Sequence, residues 1–582
     1  MPLDENFYRK KAERPFPLGT SIFTMLENAF YVDKTLFIKE LMDSPSQAFL
    51  FTRPRRFGKS LNMSMLQTFF EIPMGGEDTS HYFKNLKIWQ AGEKYTSEQG
   101  KRPVIYLSLK DMEYEDFAHA EAKIKAKIYD EFWRHSELEK SEKLSAGERS
   151  IYSHISTKTA LQEEWDASLR YLCSMLEHHY GIKPILIIDE YDVPIQKAWA
   201  ATKPYYREMV SFLKNILSAV LKDNPFLYKG VLTGVSRVSK ESIFSGLNNV
   251  EANTVFSKDF SQYFGFTQEE VDEALSFYGI EDKKAEVRDW YDGYRFGNTD
   301  IYNPISFMKY IKEDCTPMAY WANTSDNALM GEMLERLGSE DRQKLIDFVQ
   351  GVAIEAEVDM NIVFPQIMKD SGLIYSLLAQ SGYLKSIETK PRGKGYVCKL
   401  TIPNREIAYI YSEEIINRFM GEPDSQRRGR TLLNAIIGGE TEEIQKALEE
   451  YFIRNCSYLD LTEEQDYHNF ILGLLAAMSD GYSVTSNRES GKGRYDLVMR
   501  PHRNRRYLPG IIFEFKHCKP SKSRNPNIKR QQARLEREAR KALEQIDTQK
   551  YIEEMRSEGI TEIIRYGAAF CGKDAKVIRK NE

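Results

Sequence analysis

The chain has 582 residues, 42% hydrophobic and 29% charged, with a formal net charge of -5. That length implies roughly three or four domains, and the near-neutral balance excludes a wholesale polyanion-binding surface, so any nucleic-acid contact must come from a local basic patch. Six scattered cysteines without a C-x-x-C pair, a polar Met1–Thr20 and no apolar run of the roughly 18 residues that a membrane helix needs predict a soluble cytoplasmic protein without disulfides, zinc or a membrane partner.

Strand-like and helical patterns alternate through residues 1–280, which predicts an α/β domain with a parallel sheet and crossover helices. The first buried strand, 47–52, runs into Arg53-Pro54-Arg55-Arg56-Phe57-Gly58-Lys59-Ser60 and then a helical run, 61–70. In such a unit the backbone amides of the helix N-terminus point at phosphate, Lys59 reaches the terminal phosphates and the Ser60 hydroxyl ligates Mg²⁺. Pro54, Arg55, Arg56, Phe57, Gly58, Lys59 and Ser60 are therefore the nucleotide-binding candidates. Arg53 stands where G-x-x-x-x-G-K-[ST] has its first glycine, a departure that weakens the motif taken alone. Further strands are expected at 103–109, 184–189 and 227–234, with amphipathic helices at 161–179 and 206–221.

The apolar run Ile185-Leu186-Ile187-Ile188 ends in Asp189 and Glu190. In P-loop ATPases the first such acid holds the Mg²⁺ shell and the second polarises the attacking water; acids leaving a strand also serve as helix caps. At the end of strand 227–234, Thr233 is placed to sense a γ-phosphate. Arg237 is placed to reach phosphate or a neighbouring subunit, and an ordinary turn with an exposed arginine is the plainer alternative. Thr267-Gln268-Glu269-Glu270 before Val271 is a capping box that opens a new helix.

The middle, 281–425, combines a tight aromatic turn, Trp290-Tyr291-Asp292-Gly293-Tyr294-Arg295-Phe296-Gly297, with helices and a hairpin pattern at 382–402. It reads as a helical, winged-helix-like region. From 432 to 453 the pattern is helical again, and the last domain occupies 426–582. There Asp496 precedes the strand-like run Leu497-Val498-Met499, and Glu514 and Lys516 lie in Ile511-Ile512-Phe513-Glu514-Phe515-Lys516. Strand side chains alternate faces, so Glu514 and Lys516 share one side while Phe513 and Phe515 take the other. If the two runs pair, Asp496 joins them. Two carboxylates then hold Mg²⁺, with Mn²⁺ as the alternative, and a lysine positions water or offsets phosphate charge. Charged residues in apolar strands also act as guards against edge pairing. Lys and Arg outnumber acids over 494–506 and 516–541, which makes Arg494, Lys529, Arg530 and Arg534 candidates for contact with backbone phosphates.

With these residues in hand, the chain resembles bacterial proteins that join an AAA-ATPase-like domain to a C-terminal PD-(D/E)XK nuclease-superfamily domain. The resemblance covers nearly the whole chain. It includes Tyr31-Val32-Asp33-Lys34-Thr35, the loop from Arg53 to Ser60, Ser245-Gly246-Leu247-Asn248-Asn249, Trp290 to Gly297, Tyr302-Asn303-Pro304 and Ile402-Pro403-Asn404. It implies an additional-strand P-loop NTPase core in 1–280 and a restriction-endonuclease-like α/β domain in 426–582. It further implies ATP on Lys59 and Ser60, Asp189 on the metal and Glu190 as base. In the nuclease it makes Asp496 and Glu514 metal ligands and Lys516 the catalytic lysine. Glu464 matches an acid that many such folds supply from their first helix, although an exposed acid at a helix N-terminus has the same appearance. Gln545 with Tyr551 resembles a substrate-side Gln-Tyr pair, at a spacing that departs from Q-x-x-x-Y. The expected function is an ATP-regulated, Mg²⁺-dependent nuclease acting on DNA, with a second copy as a further partner through the ATPase domain. The alternatives are a sensor or signalling ATPase whose last domain only binds nucleic acid or protein, and an RNA-directed nuclease.

Overall fold

The computed structural model describes residues 3–73, 76–112, 114–200, 205–236, 249–321, 352–359, 371–393, 395–411, 425–455, 482–486, 489–490, 493–494, 496–501, 507–518, 528–547 and 551–581, with single positions 344, 348, 471 and 505. They divide into two compact units, Met1–Arg336 with Glu355–Glu406, and Leu337–Ile354 with Ile407–Glu582. Among the described residues no helix is long and apolar enough to cross a membrane.

The first unit is built on a parallel sheet of β1 (Ala48–Thr52), β2 (Val104–Ser108), β3 (Ile185–Asp189), β4 (Lys229–Gly234) and β5 (Val250–Asn253), in the order β2-β3-β4-β1-β5. β1, β3 and β4 are buried along their whole length, as continuous apolar runs covered on both faces must be. The connections bring the C-terminal ends of β1, β3 and β4 to one edge, where parallel sheets bind ligands. Helix Tyr206–Leu221 forms as its periodicity predicts. The helix expected over 161–179 is instead two, Gln162–Asp166 and Ser168–Tyr180. The Ser168 hydroxyl takes the Trp165 carbonyl at 2.7 Å, and such a local bond competes with the helical ladder.

The aromatic turn resolves into β6 (Tyr294–Phe296) and β7 (Thr299–Ile301), an antiparallel hairpin. Tyr294 and Phe296 pack on Phe57 of the phosphate loop, with ring centroids 4.9 and 5.3 Å away. Arg53 is the tightest joint. It is fully buried, its guanidinium sits 5.1 Å from the centroids of both Phe264 and Phe296, and Nη1 donates to the Thr52 and Asn253 carbonyls at 2.8 Å each. Burial pushes this guanidinium below its ordinary range, yet a group so basic stays charged at neutral pH, and the ring faces receive that charge. The residue that breaks the glycine pattern therefore pins the loop to the elements after β5. Arg53→Gly restores the usual motif but leaves a cavity and unmet carbonyls; we expect it to destabilise the first unit by about 2–5 kcal/mol, read from denaturant unfolding. Unchanged stability would contradict this role.

Tyr31-Val32-Asp33-Lys34-Thr35 serves packing as well. Lys34 Nζ donates to Glu270 at 2.5 and 2.7 Å, clamping the N-terminal segment to the capping box of helix Gln268–Tyr278. Asn303 caps helix Pro304–Lys312 through the Ile305 amide. A three-stranded sheet of β8 (Ile354–Val358), β9 (Lys385–Arg392) and β10 (Gly395–Thr401), ordered β8-β10-β9, contains the expected hairpin. Residues 245–248 lie outside the described residues.

In the second unit β11 (Tyr482–Ser486), a short ladder of β12 (Glu489–Ser490) with β13 (Gly493–Arg494), β14 (Leu497–Pro501), β15 (Gly510–His517), β16 (Ile563–Cys571) and β17 (Asp574–Asn581) follow in turn. The main sheet is mixed, ordered β11-β14-β15-β16-β17, with β15 and β16 parallel and the other pairs antiparallel. The helical stretch expected over 432–453 breaks at Gly438-Gly439 into Ser425–Gly438 and Thr441–Asn455. Leu497, Phe513 and Phe515 face a core shared with Leu432, Ile436 and Ile444 of those helices. Val498 and Ile512 face Ile546 and Met555 from helices Ile528–Asp547 and Tyr551–Ser557. By strand alternation Glu514 and Lys516 stand on this second side, with the basic helix. Gly567, paired with Glu514 in register, lets that helix approach, since a Cβ there would collide with the Ala539 carbonyl.

Candidate active sites

The loop leaving β1 turns through Arg56 and Gly58, at φ 71° and 81°, so that the helix Lys59–Phe70 begins with its amides toward the strand ends. Glycine adopts that backbone without penalty; Arg56 does so at a cost typical of functional sites. Lys59 is nearly buried, and its Nζ donates to the Arg53 and Pro54 carbonyls at 3.0 and 2.9 Å. Burial lowers its ammonium, while Glu190 and Asp189 oppose that shift. Ser60 Oγ donates to Asp189 Oδ2 at 2.6 Å, and Thr233 Oγ1 donates to Asp189 Oδ1 at 2.5 Å. The hydroxyl and carboxylate that would share a Mg²⁺ shell are thus already together, and oxygen donors of this kind fit that hard cation. Glu190 follows at φ 57°, its amide donating to Thr233 Oγ1 at 3.3 Å. Burial pushes its carboxyl up, with Lys59 pulling it down, which moves it toward the range useful for a base at neutral pH.

One residue of this site escaped the sequence reading. Asp192 is fully buried and accepts hydrogen bonds from the Val235 and Ser236 amides at 3.0 and 2.9 Å, from Ser236 Oγ at 3.1 Å and from Gln196 Nε2 at 2.6 Å. Gln196 Oε1 in turn accepts from Arg55 Nη2 at 3.4 Å. Asp192 therefore ties the end of β4 to the loop after β3. Its signal was the third acid in Asp189-Glu190-Tyr191-Asp192. Arg237 lies outside the described residues.

In the second unit, Leu497 pairs with Phe513 across β14 and β15, which carries Asp496 to the edge beside Glu514. Asp496 Oδ2 accepts the Phe515 amide at 2.7 Å, and Lys516 Nζ lies 3.4 Å from Glu514 Oε1. Glu514 is only 2% exposed, and its Oε2 has no hydrogen-bond partner among the described residues. Burial first, and then the Asp496 charge, push its carboxyl up to about 7, with Lys516 opposing. An unpartnered buried oxygen beside a second carboxylate is costly unless a cation is received. The pair fits Mg²⁺, which commonly takes one or two carboxylates and completes its shell with water and phosphate. Among the described residues no group of three or more His, Cys, Asp or Glu gathers for a metal; Glu464 lies outside them.

The raised carboxyl has a stability consequence. Between the ordinary glutamate range and about 7, the folded state holds a proton that the unfolded state releases, so stability falls as pH rises through that window. Glu514→Gln removes the penalty. In metal-free buffer at pH 8 we expect it to stabilise the second unit by ~1–3 kcal/mol, with the difference vanishing near pH 4, as read by denaturant unfolding.

Lys529, Arg530 and Arg534 are exposed on helix Ile528–Asp547. Gln545 is half-buried near its end, and Tyr551 opens the next helix. The side chains of Tyr551 and of Arg494, in β13, lie outside the described residues.

Residues 17–244 match the family model of a predicted AAA-ATPase, AAA-ATPase-like, and residues 462–580 match the PD-(D/E)XK nuclease superfamily. Over 452 residues the chain is 26% identical to an uncharacterized protein in the vnfD 5' region of Azotobacter chroococcum mcd 1, covering 76% of this chain and 78% of that one. The chain is thus built of an AAA-ATPase-like domain followed by a domain of the PD-(D/E)XK nuclease superfamily.

Proposed function

We propose that the protein hydrolyses ATP in its first unit and cleaves DNA in its second, in a Mg²⁺-dependent reaction that the nucleotide state gates or assembles. The observation that carries the cleavage reading is Glu514: a buried carboxylate with an open oxygen, beside Asp496 and within reach of Lys516. Such an arrangement stores an electrostatic cost that a cation and a phosphodiester relieve together. When bound between Asp496 and Glu514, a divalent cation supplies charge for the scissile phosphate and hydroxide at neutral pH.

The protein's own groups supply the rest. The Phe515 amide fixes the Asp496 carboxylate, and the Lys516 ammonium offsets charge developing on the phosphate. The first eight residues of the basic helix carry Lys529, Arg530 and Arg534 and no acid. Cations at the positive end of a helix dipole are unfavourable in isolation, and a phosphate backbone repays that arrangement. In the first unit, Lys59 and the loop amides hold phosphate, Asp189 with Ser60 holds the Mg²⁺ shell, and Glu190 takes the proton of the attacking water.

The test is degradation of plasmid, single-stranded DNA and RNA by the purified chain with Mg²⁺ or Mn²⁺, each with ATP, with a slowly hydrolysed ATP analogue and without nucleotide. Metal-dependent cutting of DNA that responds to nucleotide supports the proposal. Cutting confined to RNA overturns the substrate, and tight binding without cutting overturns catalysis.

A further inference from the structure

We propose that Asp192 is a positioning residue of the ATPase. It locks the loop after β3 onto the end of β4 and so holds the Glu190 carboxylate and the Thr233 hydroxyl in one fixed relation; this rests on the ATP site proposed above. Glu190 needs such a lock. Its backbone sits in the left-handed region, at φ 57°, which a residue with a side chain keeps only where its surroundings hold it. A base carried on a strained turn is only as well aimed as the bonds that fasten the turn.

Three consecutive residues fasten it to 233–236. The Glu190 amide donates to Thr233 Oγ1 at 3.3 Å and the Tyr191 amide to the Thr233 carbonyl at 3.0 Å. The buried Tyr191 hydroxyl donates to the Ser236 carbonyl at 2.8 Å. Asp192 closes the series, its Oδ2 receiving the Val235 and Ser236 amides and the Ser236 hydroxyl. An acid that merely capped the helix Val193–Ala200 would spend its carboxylate on the amides of that helix. Here the Ile195 and Gln196 amides go to the Asp192 carbonyl, and the carboxylate crosses to the end of β4.

Gly234 leaves room for this lock, since a Cβ there would lie 2.6 Å from Asp192 Oδ1 and 2.8 Å from Tyr191 Cε1. The phosphate loop is fastened to the same stretch. The Arg53 amide donates to the Gly234 carbonyl at 3.1 Å, and Gln196 donates to Asp192 Oδ2 at 2.6 Å while accepting from Arg55 at 3.4 Å. Thr233 joins the metal side, because the hydroxyl that receives the Glu190 amide donates to Asp189 Oδ1. Base, metal acid and phosphate loop therefore share one buried joint, in which Asp192 acts through Glu190.

Steady-state turnover and calorimetric titration of the full chain with ATP and Mg²⁺ test this in Asp192→Ala and Asp192→Asn, with kcat taken per folded molecule from unfolding scans. Asparagine keeps an oxygen for Val235 and Ser236 but loses the charge. Because a misplacement of about 1 Å can cost about 10²-fold, kcat should fall at least about tenfold in Asp192→Ala and about threefold in Asp192→Asn. ATP affinity should weaken less than about twofold in both, since the lock aims the base and leaves the phosphate contacts in place. A smaller fall of kcat in Asp192→Asn, or a loss of affinity as large as the loss of kcat, overturns the positioning role and leaves a structural tie. Where Asp192→Ala does not fold, Asp192→Asn alone decides. Glu190→Gln is the reference, expected to lose about 100-fold or more in kcat with affinity kept. A parent without ATP turnover, or a reference at the parental rate, sinks the proposed ATPase chemistry itself, and the positioning role falls with it.

Discussion

We expect Asp496→Asn to lower the proposed phosphodiester cleavage by more than about 100-fold and to leave ATP turnover at the parental rate. Loss of a mere outer-shell partner of a metal already costs 10–100-fold, and Asp496 is argued to be a direct ligand. Asparagine keeps an oxygen for the Phe515 amide, which Asp496 now accepts at 2.7 Å, so the local backbone has no reason to shift. What disappears is one negative charge. The same charge helps to hold the Glu514 carboxyl near 7, and removing it should let Glu514 ionise at lower pH. A fall in cleavage accompanied by easier ionisation of Glu514, followed by carbonyl-region infrared or NMR titration, identifies an electrostatic site. Cleavage retained by the asparagine variant, with the fold intact, would leave the pair without a catalytic role.

We expect Lys59→Ala to weaken nucleotide binding, again by about 100-fold or more, and to remove ATP turnover with it. A buried ammonium that pairs with phosphate makes charge-assisted bonds, each worth about 1.5–3 kcal/mol. Lys59 Nζ also donates to the Arg53 and Pro54 carbonyls, so alanine leaves two carbonyls without that partner. Lys59→Met, which retains the stem, separates the two effects: both variants lose ATP, and methionine costs less stability. Titration with ATP and a turnover assay provide the measurement. The fate of DNA cleavage in Lys59→Met then tells whether the nucleotide gates the nuclease. A matching loss supports gating, and parental cleavage argues for independent sites.

The catalytic candidates were legible because their geometry is local. Residues 53–60 lie between a strand and a helix that their own patterns declare, so Lys59 and Ser60 could only emerge at the helix start. Asp189 and Glu190 end an apolar run that must be buried, and a buried strand must deliver its last residues to the sheet edge. In the last domain, alternation along Ile511 to Lys516 was enough to separate Phe513 and Phe515 from Glu514 and Lys516. A short period, repeated over a few residues, is written into the chain.

Arg53 shows where that legibility stops. Arg53 departs from the general phosphate-loop pattern, and the family resemblance makes that departure a habit of the loop, yet nothing nearby says that Phe264 and Phe296 will enclose its guanidinium. The same holds for the union of Asp192 with Val235 and Ser236. Two breaks inside expected helices, at Ala167 and at Gly438-Gly439, were likewise settled by competing bonds and by glycine. Which strands and loops exist, and which end of each carries the charges, followed from residue order alone, since hydrophobic period and backbone preference act between near neighbours. Which distant rings, carbonyls and cations those loops meet was decided by tertiary packing, because burial is shared among segments that no local pattern connects.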